Sequence, residues 1–244
     1  MKRLSTWLVC CALALLALEL FFVGRIALWA VWAPESTSFE RSQAWQITQA
    51  KGSLPWRQQW VPYSEISNQL KRAVIASEDD AFADHDGVNW DAIEKAWEKN
   101  AKAEKKAEAR PVPANGKPVK PAKVVGGSTI TQQLAKNLFL SGERTMLRKA
   151  QEFVLTFTLE LLLSKERILE IYLNHVEWGE GVFGAQAAAQ HYFRKNASQL
   201  TAFEAARLAV MLPRPKYFEK LPNSAYLSGR AEVIVGRMPG AQLP

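Results

Sequence analysis

Polarity almost vanishes at the start of the chain. From Leu4 to Trp32 only Glu19 and Arg25 are charged. The span from Leu4 to Gly24 is long enough to cross the hydrocarbon core of a bilayer as a helix. Lys2 and Arg3 ahead of it favour a cytoplasmic N-terminus, and Arg25 can snorkel to the outer interface beside Trp29 and Trp32. Glu19 interrupts the span and marks either a helix partner or a tilt. A cleaved signal peptide is the alternative, but small-residue steps occur only inside the apolar run, at Ala12 and Ala14. The pattern predicts a retained anchor over residues 1–33.

Residues 34–60 are polar with scattered tryptophans, which predicts a stalk. Helical periodicity then sets in: Pro62 and a Ser64 cap precede Ile66, Leu70, Ala73 and Val74. Asn89 can cap a second helix starting at Trp90. That helix fades into a Lys-, Ala- and Pro-rich stretch, Ala101 to Lys123, almost free of large apolar residues. Such a stretch cannot bury enough surface to order itself, so a mobile insertion is predicted there, either solvated or touching anionic headgroups through its lysines. After Gly126 and Gly127, Ser128 or Thr129 caps the next helix. Thr145 to Leu163 has apolar residues on every face, the mark of a helix at the centre of a domain or laid against lipid. Ser164 opens another helix, and Thr201 with Glu204 forms a capping box before one stopped by Pro213 and Pro215. With no sustained period-two alternation and no repeat, the domain over 61–244 is expected to be mainly α.

Charge and cysteine content narrow the function. The net charge is +7, and setting aside Lys2, Arg3, Arg25 and Glu19 leaves 28 basic and 23 acidic residues, a surplus of five. A basic domain suits anionic partners, and outside the cytoplasm that means anionic lipid-linked material rather than nucleic acid. Cys10 and Cys11 are the only cysteines. A disulfide or a cysteine zinc site in the rest of the chain is therefore excluded.

Three groups of residues can carry chemistry. In "ASEDDAFADHDG", Glu78 ends a helix, where outward carbonyl dipoles disfavour negative charge, and Asp79 and Asp80 add repulsion. Both effects raise a carboxyl pKa toward the range of a general base. A polar helix end with a turn at Gly87 is the plain alternative, and a calcium loop lacks the bidentate glutamate it would need. Glu152 lies in the most apolar helix, where an unpaired carboxylate is costly; Arg148, four residues earlier, is its natural partner. Glu160 needs a tertiary contact. Finally, Gly126-Gly127 before a helix offers free amides to an anion, with Lys136, Arg144, Arg148 and Lys149 close behind in sequence. A phosphorylated sugar would suit such a set.

"EDDAFADHDG", "GGSTITQQLAKNLFL", "RKAQE", "KERILEIYLN" and "ARLAVMLPRP" follow one another in this order. Together they resemble the five signature motifs of the peptidoglycan glycosyltransferases, glycosyltransferase family 51, over roughly Val61 to Pro215. With no Ser-x-x-Lys and no Lys-Thr-Gly, the resemblance is to the monofunctional biosynthetic enzymes. It implies a lysozyme-like helical head beside a smaller hydrophobic jaw that dips into the membrane. The long Lys/Pro-rich stretch departs from the family's usual short linker.

The resemblance also implies a reaction. Lipid II, a disaccharide-pentapeptide on undecaprenyl pyrophosphate, is polymerised at the outer face of the cytoplasmic (inner) membrane, with the catalytic domain periplasmic. Glu78 would deprotonate the acceptor 4-hydroxyl, and Glu152 matches the family's second essential glutamate. Lys136 and Arg144 would clamp the pyrophosphate with the Gly127-Ser128 amides, and Gln132, Asn137 and Lys149 would be further substrate contacts. His85 and Gly87 would shape the catalytic turn, and Arg207 would be structural. No cofactor is obligatory, though a divalent cation, Mg2+ or Mn2+, could assist at the pyrophosphate. The implied partners are lipid II, the growing glycan strand, the bilayer and other cell-wall synthesis or division proteins. A lysozyme-like hydrolase and a non-catalytic scaffold are the rival readings. The cationic set argues against the first, and the intact Glu78, Lys136, Arg144 and Glu152 against the second.

Overall fold

The computed structural model describes residues 2–108, 126–140, 142–143 and 145–244. The described chain is mainly α-helical, as its periodicity predicts, with one small three-stranded sheet. Arg144 and residues 109–123 of the predicted insertion lie outside the described residues.

Helix α1 (Lys2–Trp29) is long and apolar enough to cross a membrane, and its most apolar window is unburied. Its C-terminal part docks onto the rest of the chain. Ile26 is buried, and the rings of Phe22 and Trp29 lie 5.0 and 5.1 Å from that of Phe139. Arg167 donates from Nε to the Trp29 carbonyl at 2.7 Å and from Nη2 to the Trp32 carbonyl at 2.8 Å, satisfying acceptors that a helix end leaves open. Glu19 has a helix partner: its Oε1 accepts from Gln151 Nε2 at 2.9 Å.

The segment read from the sequence as a stalk holds helix α2 (Ser38–Lys51), opened by a Thr37–Glu40 capping box and packed against the body through buried Glu40 and Ile47. Strand β1 (Arg57–Gln58) then pairs in parallel with β3 (Val182–Phe183), which forms an antiparallel hairpin with β2 (Glu177–Gly179). So 38–58 is docked structure rather than a free tether. Helix α3 (Asn68–Glu78) is capped by Ser67, whose Oγ accepts from Gln69 N, and not by Ser64, which sits in a short 3-10 turn. The Ser67 N–H is fixed by the carbonyl of Ala197, a tertiary contact that selects the cap.

Asn89 caps α4 (Trp90–Glu108) as expected, accepting from Ala92 N at 2.9 Å. This helix runs on through Ala101–Glu108, which the sequence placed in a mobile insertion; Ala, Glu and Lys are strong helix formers and sustain it there. Next come α5 (Ile130–Phe139), α6 (Met146–Leu162) and α7 (Lys165–His175), each opened by the cap its sequence offers: Thr129, Thr145 and Ser164. Helices α8 (Ala185–Phe193), α9 (Ala202–Met211), α10 (Pro215–Phe218) and α11 (Ala225–Arg237) complete the order, with the Thr201–Glu204 box in place.

Two packed groups form one core. Helices α3, α9 and α11 pack on one another, and α5 packs on both α6 and α7. The central helix is α7, where every residue from Ile168 to His175 is buried. Helix α6 is apolar all round but buries one face only, through Glu152, Leu155, Thr156 and Leu159. Val154, Phe157 and Leu161 stay exposed on a helix that also packs on α1. Of the two readings of that pattern, the structure leaves the outward apolar face free for lipid.

Candidate active site

The acidic turn after α3 is built as a bracket. Asp79, buried at the helix end, accepts from the Ile130 amide at 3.0 Å, one of the open donors of the α5 N-terminus. It also receives His85 Nε2 at 2.9 and 3.0 Å. The ring's other nitrogen, Nδ1, accepts from Gly87 N at 3.1 Å, so the imidazole carries its hydrogen on Nε2. Gly87 adopts φ +85°, and a Cβ there would fall 2.7 Å from Thr156 Cγ2 and 2.8 Å from Glu160 Cγ, so only glycine fits. Thr129 Oγ1 donates to the Gly87 carbonyl at 2.6 Å, and Glu160 Oε1 accepts from Thr131 and Lys165. The turn, the start of α5, the last turn of α6 and the start of α7 are thereby bolted together, and Glu160 has its tertiary contacts.

Glu78 stands just before this bracket, partly buried. Burial is the main reason its carboxyl pKa is raised; hydrogen bonds from Gln133 and Ser77 pull it back, and the Asp79 charge adds a smaller upward push. The sequence pointed to the helix-end dipole and charge repulsion rather than to burial. In the structure Asp79 is occupied by His85 and Ile130, while Asp80 turns outward to Arg237 at 3.4 Å. Gln133 Nε2 donates to Glu78 Oε2 at 3.1 Å, and Gln133 Oε1 accepts from the buried Tyr172 hydroxyl at 3.0 Å. A Tyr–Gln–Glu relay therefore sets the carboxylate's position.

Gln133 also lines a cavity of about 360 Å³, one hydrogen bond away from Glu78. Ser128, Gln132, Lys136, Asn137, Arg148, Lys149 and Glu152 line it too, so seven of the residues singled out from the sequence converge on one space. Helix α5 supplies most of one wall and the first two turns of α6 the other. Glu152, only 3% exposed, holds Arg148 Nη1 at 2.8 Å and Lys149 through its two oxygens. One buried acid thus collects two cations on the cavity that Lys136 also lines. Partial desolvation in the cavity, reinforced by Arg148 and Lys149, lowers the Lys136 pKa against the opposing pull of Glu152. Three cations against two acids, the fully engaged Glu152 and the exposed Glu143, leave a positive surplus that suits an anion. Gln132 Nε2 and Arg148 Nε, both buried, have no hydrogen-bond partner among the described residues, so donors remain for such a ligand.

The donor set does not fit a protein-held divalent cation. Both Glu152 oxygens are engaged by cations, and no group of three or more His, Cys, Asp or Glu among the described residues could hold a metal. Gly127 is placed outside the cavity wall. It packs on α4, where a Cβ would come 3.0 Å from the Ala92 carbonyl, and its neighbour Ser128 faces the cavity instead. Arg207 makes structural contacts, to the Pro222 carbonyl and the Phe193 ring. Sequence reasoning missed Gln133 and Phe39. Gln133 sits inside a motif already quoted, one residue from Gln132, whereas Phe39 lies in the supposed stalk and carries no local signal.

Comparison with known proteins gives the frame for this geometry. A sequence model described as transglycosylase matches residues 46–239. A protein of Burkholderia thailandensis named biosynthetic peptidoglycan transglycosylase is 54% identical over 231 residues, 95% of this chain and 84% of its own length. One of the same name from Herminiimonas arsenicoxydans is 50% identical over 246 residues, covering 100% of this chain and 99% of its own. The match spans both walls of the cationic cavity and the Glu78 turn, and on that evidence the chain belongs to the transglycosylase family.

Proposed function

We propose that the protein is a peptidoglycan glycosyltransferase that polymerises lipid II at the outer face of the inner membrane, with α1 as a single-pass anchor, its N-terminus inside and its catalytic domain periplasmic. The observation that carries this reading is the link through Gln133. A carboxylate with a raised pKa stands one hydrogen bond from a cavity whose charge suits a pyrophosphate.

Glu78 takes the proton from the 4-hydroxyl of the acceptor's N-acetylglucosamine as that oxygen attacks C1 of the muramyl sugar ending the growing strand. The C1–O bond to pyrophosphate breaks, undecaprenyl pyrophosphate leaves, and the configuration at C1 inverts. A glycosidase must protonate a sugar leaving group and keeps a second carboxylic acid for that purpose. Pyrophosphate is a far better leaving group, so the demand falls on charge stabilisation. Lys136, Arg148 and Lys149 meet that demand, with Ser128, Gln132 and Asn137 as further donors. Glu152 is the strut that orients two of the three cations. Fixed donors aimed at developing charge are each worth about 10²–10³ in rate. Arg144, from the same motif region, is assigned to the clamp on the resemblance alone.

Purified protein incubated with labelled lipid II in detergent, beside Glu78→Gln, tests this. Polymer from the wild type and intact lipid II with the variant is the expected result. Shortening of preformed glycan without polymer would instead make the protein a hydrolase, and neither activity would make it a scaffold.

A further inference from the structure

One wall of the cationic cavity is aromatic, and it lies ahead of the residues the family model covers. Phe39 lines the cavity from the first turn of α2, ahead of the residues 46–239 that the family model covers. Its ring is half-buried, set edge-on to Phe183 at 6.2 Å, and Phe183 in turn stacks on Trp56 at 4.4 Å. The neighbouring residue is a bolt. Glu40, 1% exposed, accepts through Oε1 from His175 Nδ1 at 2.8 Å and from Gln58 Nε2 at 2.7 Å, and through Oε2 from Thr37 N at 2.7 Å. A carboxylate only accepts, so His175 carries its hydrogen on Nδ1.

A buried, hydrogen-bonded carboxylate contributes little net stability, and its effect here is on the geometry it specifies. Helix α2 is otherwise polar and buries only Ile47 besides Glu40. Ile47, with Gln43 to Lys216 and Lys51 to Glu180, holds the later turns, and the Glu40 bolt fixes the first turn, which presents Phe39 to the cavity. We propose that Phe39 binds the apolar face of the pyranose attached to the pyrophosphate, and that Glu40 and His175 are positioning residues that hold its ring there. The weakly positive C–H edges on one face of a pyranose meet the negative face of an aromatic ring, as ring edges do in aromatic pairs. The cations take the charged part of the substrate, and the phenyl ring takes the sugar beside it. This assignment rests on the glycosyltransferase reading above.

The test is steady-state polymerisation of lipid II by the full-length protein carrying Phe39→Ala, Phe39→Leu, Phe39→Trp or Glu40→Gln, with thermal melts alongside. A lost ground-state contact raises KM and leaves kcat alone. Phe39→Ala should raise KM about tenfold with kcat within threefold, and Phe39→Trp should restore it. Phe39→Leu, which keeps the bulk without the π-face and guards against a misfolded alanine variant, should remain high. Glu40→Gln should raise KM in the same direction. Joined to Phe39→Ala it should add little, because both act through one ring. An unchanged KM in Phe39→Ala, or full rescue by Leu, overturns the sugar contact; additive effects overturn the bolt. If the wild type makes no polymer, it is the glycosyltransferase reading that fails.

Discussion

Replacing Gln133 with Met should move the acidic limb of the pH–rate profile upward. The substitution keeps the length of the side chain but removes the amide that donates to Glu78 and accepts from Tyr172. That N–H stabilises the ionised carboxylate, so losing it raises the Glu78 pKa beyond the rise burial already imposes. A hydrogen bond to a charged group is worth about 1.5–3 kcal/mol, equivalent to about one to two pKa units. Glu78 is partly open to water, which replaces some of that bond, so the expected shift is about one unit. A base works only when deprotonated, so on the limb kcat/KM should fall about tenfold at fixed pH and recover at higher pH. The assay is initial-rate polymerisation of labelled lipid II across pH, fitted for the lower pKa of kcat/KM. The Tyr172 hydroxyl also loses its acceptor, which should cost about 1–3 kcal/mol and lower Tm by a few degrees. Tyr172→Phe is the control, expected to move the limb less. A limb in Gln133→Met that superimposes on the wild type, or moves to lower pH, would refute the role given to Gln133.

Other outcomes follow from the same geometry. Glu78 holds its proton more tightly folded than unfolded, so the native state loses stability as pH rises from the ordinary carboxylate range through the raised value. Glu78→Gln should therefore melt higher than wild type at neutral pH, with the difference vanishing in acid; a lower Tm at pH 8 would count against the buried-base picture. Gly87→Ala combines a left-handed φ with contacts of 2.7 and 2.8 Å and should cost about 2–4 kcal/mol, read from the denaturant midpoint, with activity falling alongside. Arg148→Met removes one cation while Lys149 still holds Glu152, and kcat should drop about 10²-fold. A kcat within threefold of wild type would remove Arg148 from the clamp.

What the sequence disclosed was local. The Thr201–Glu204 box and the Arg148–Glu152 pair span three or four residues, and local spacing alone determines them. The cavity residues were legible because the helices α5 and α6 that carry them are close in the chain and pack face to face. The contacts that escaped join distant positions: Gln133 to Glu78 across 55 residues, and His175 to Glu40 across 135. Helix α2 shows no apolar stripe because its key anchor is a charge, and a charge in a polar run reads as solvated. The cause of the Glu78 shift was misjudged for a related reason. A string of acids displays repulsion, whereas burial, the dominant cause, appears only once the chain is folded.

With α1 in a bilayer, its docking would couple membrane thickness to the cavity. Glu19 is tied to Gln151, the residue beside Glu152, and Arg167 grips the far end of the same helix. At about 1.5 Å per residue, the 21 residues from Leu4 to Gly24 measure roughly 31 Å, close to the ~30 Å core of a bilayer. In a thinner bilayer such a span would lean over. The Glu19–Gln151 contact would pass that lean on to α6, and with it to the wall of the cavity that α6 supplies.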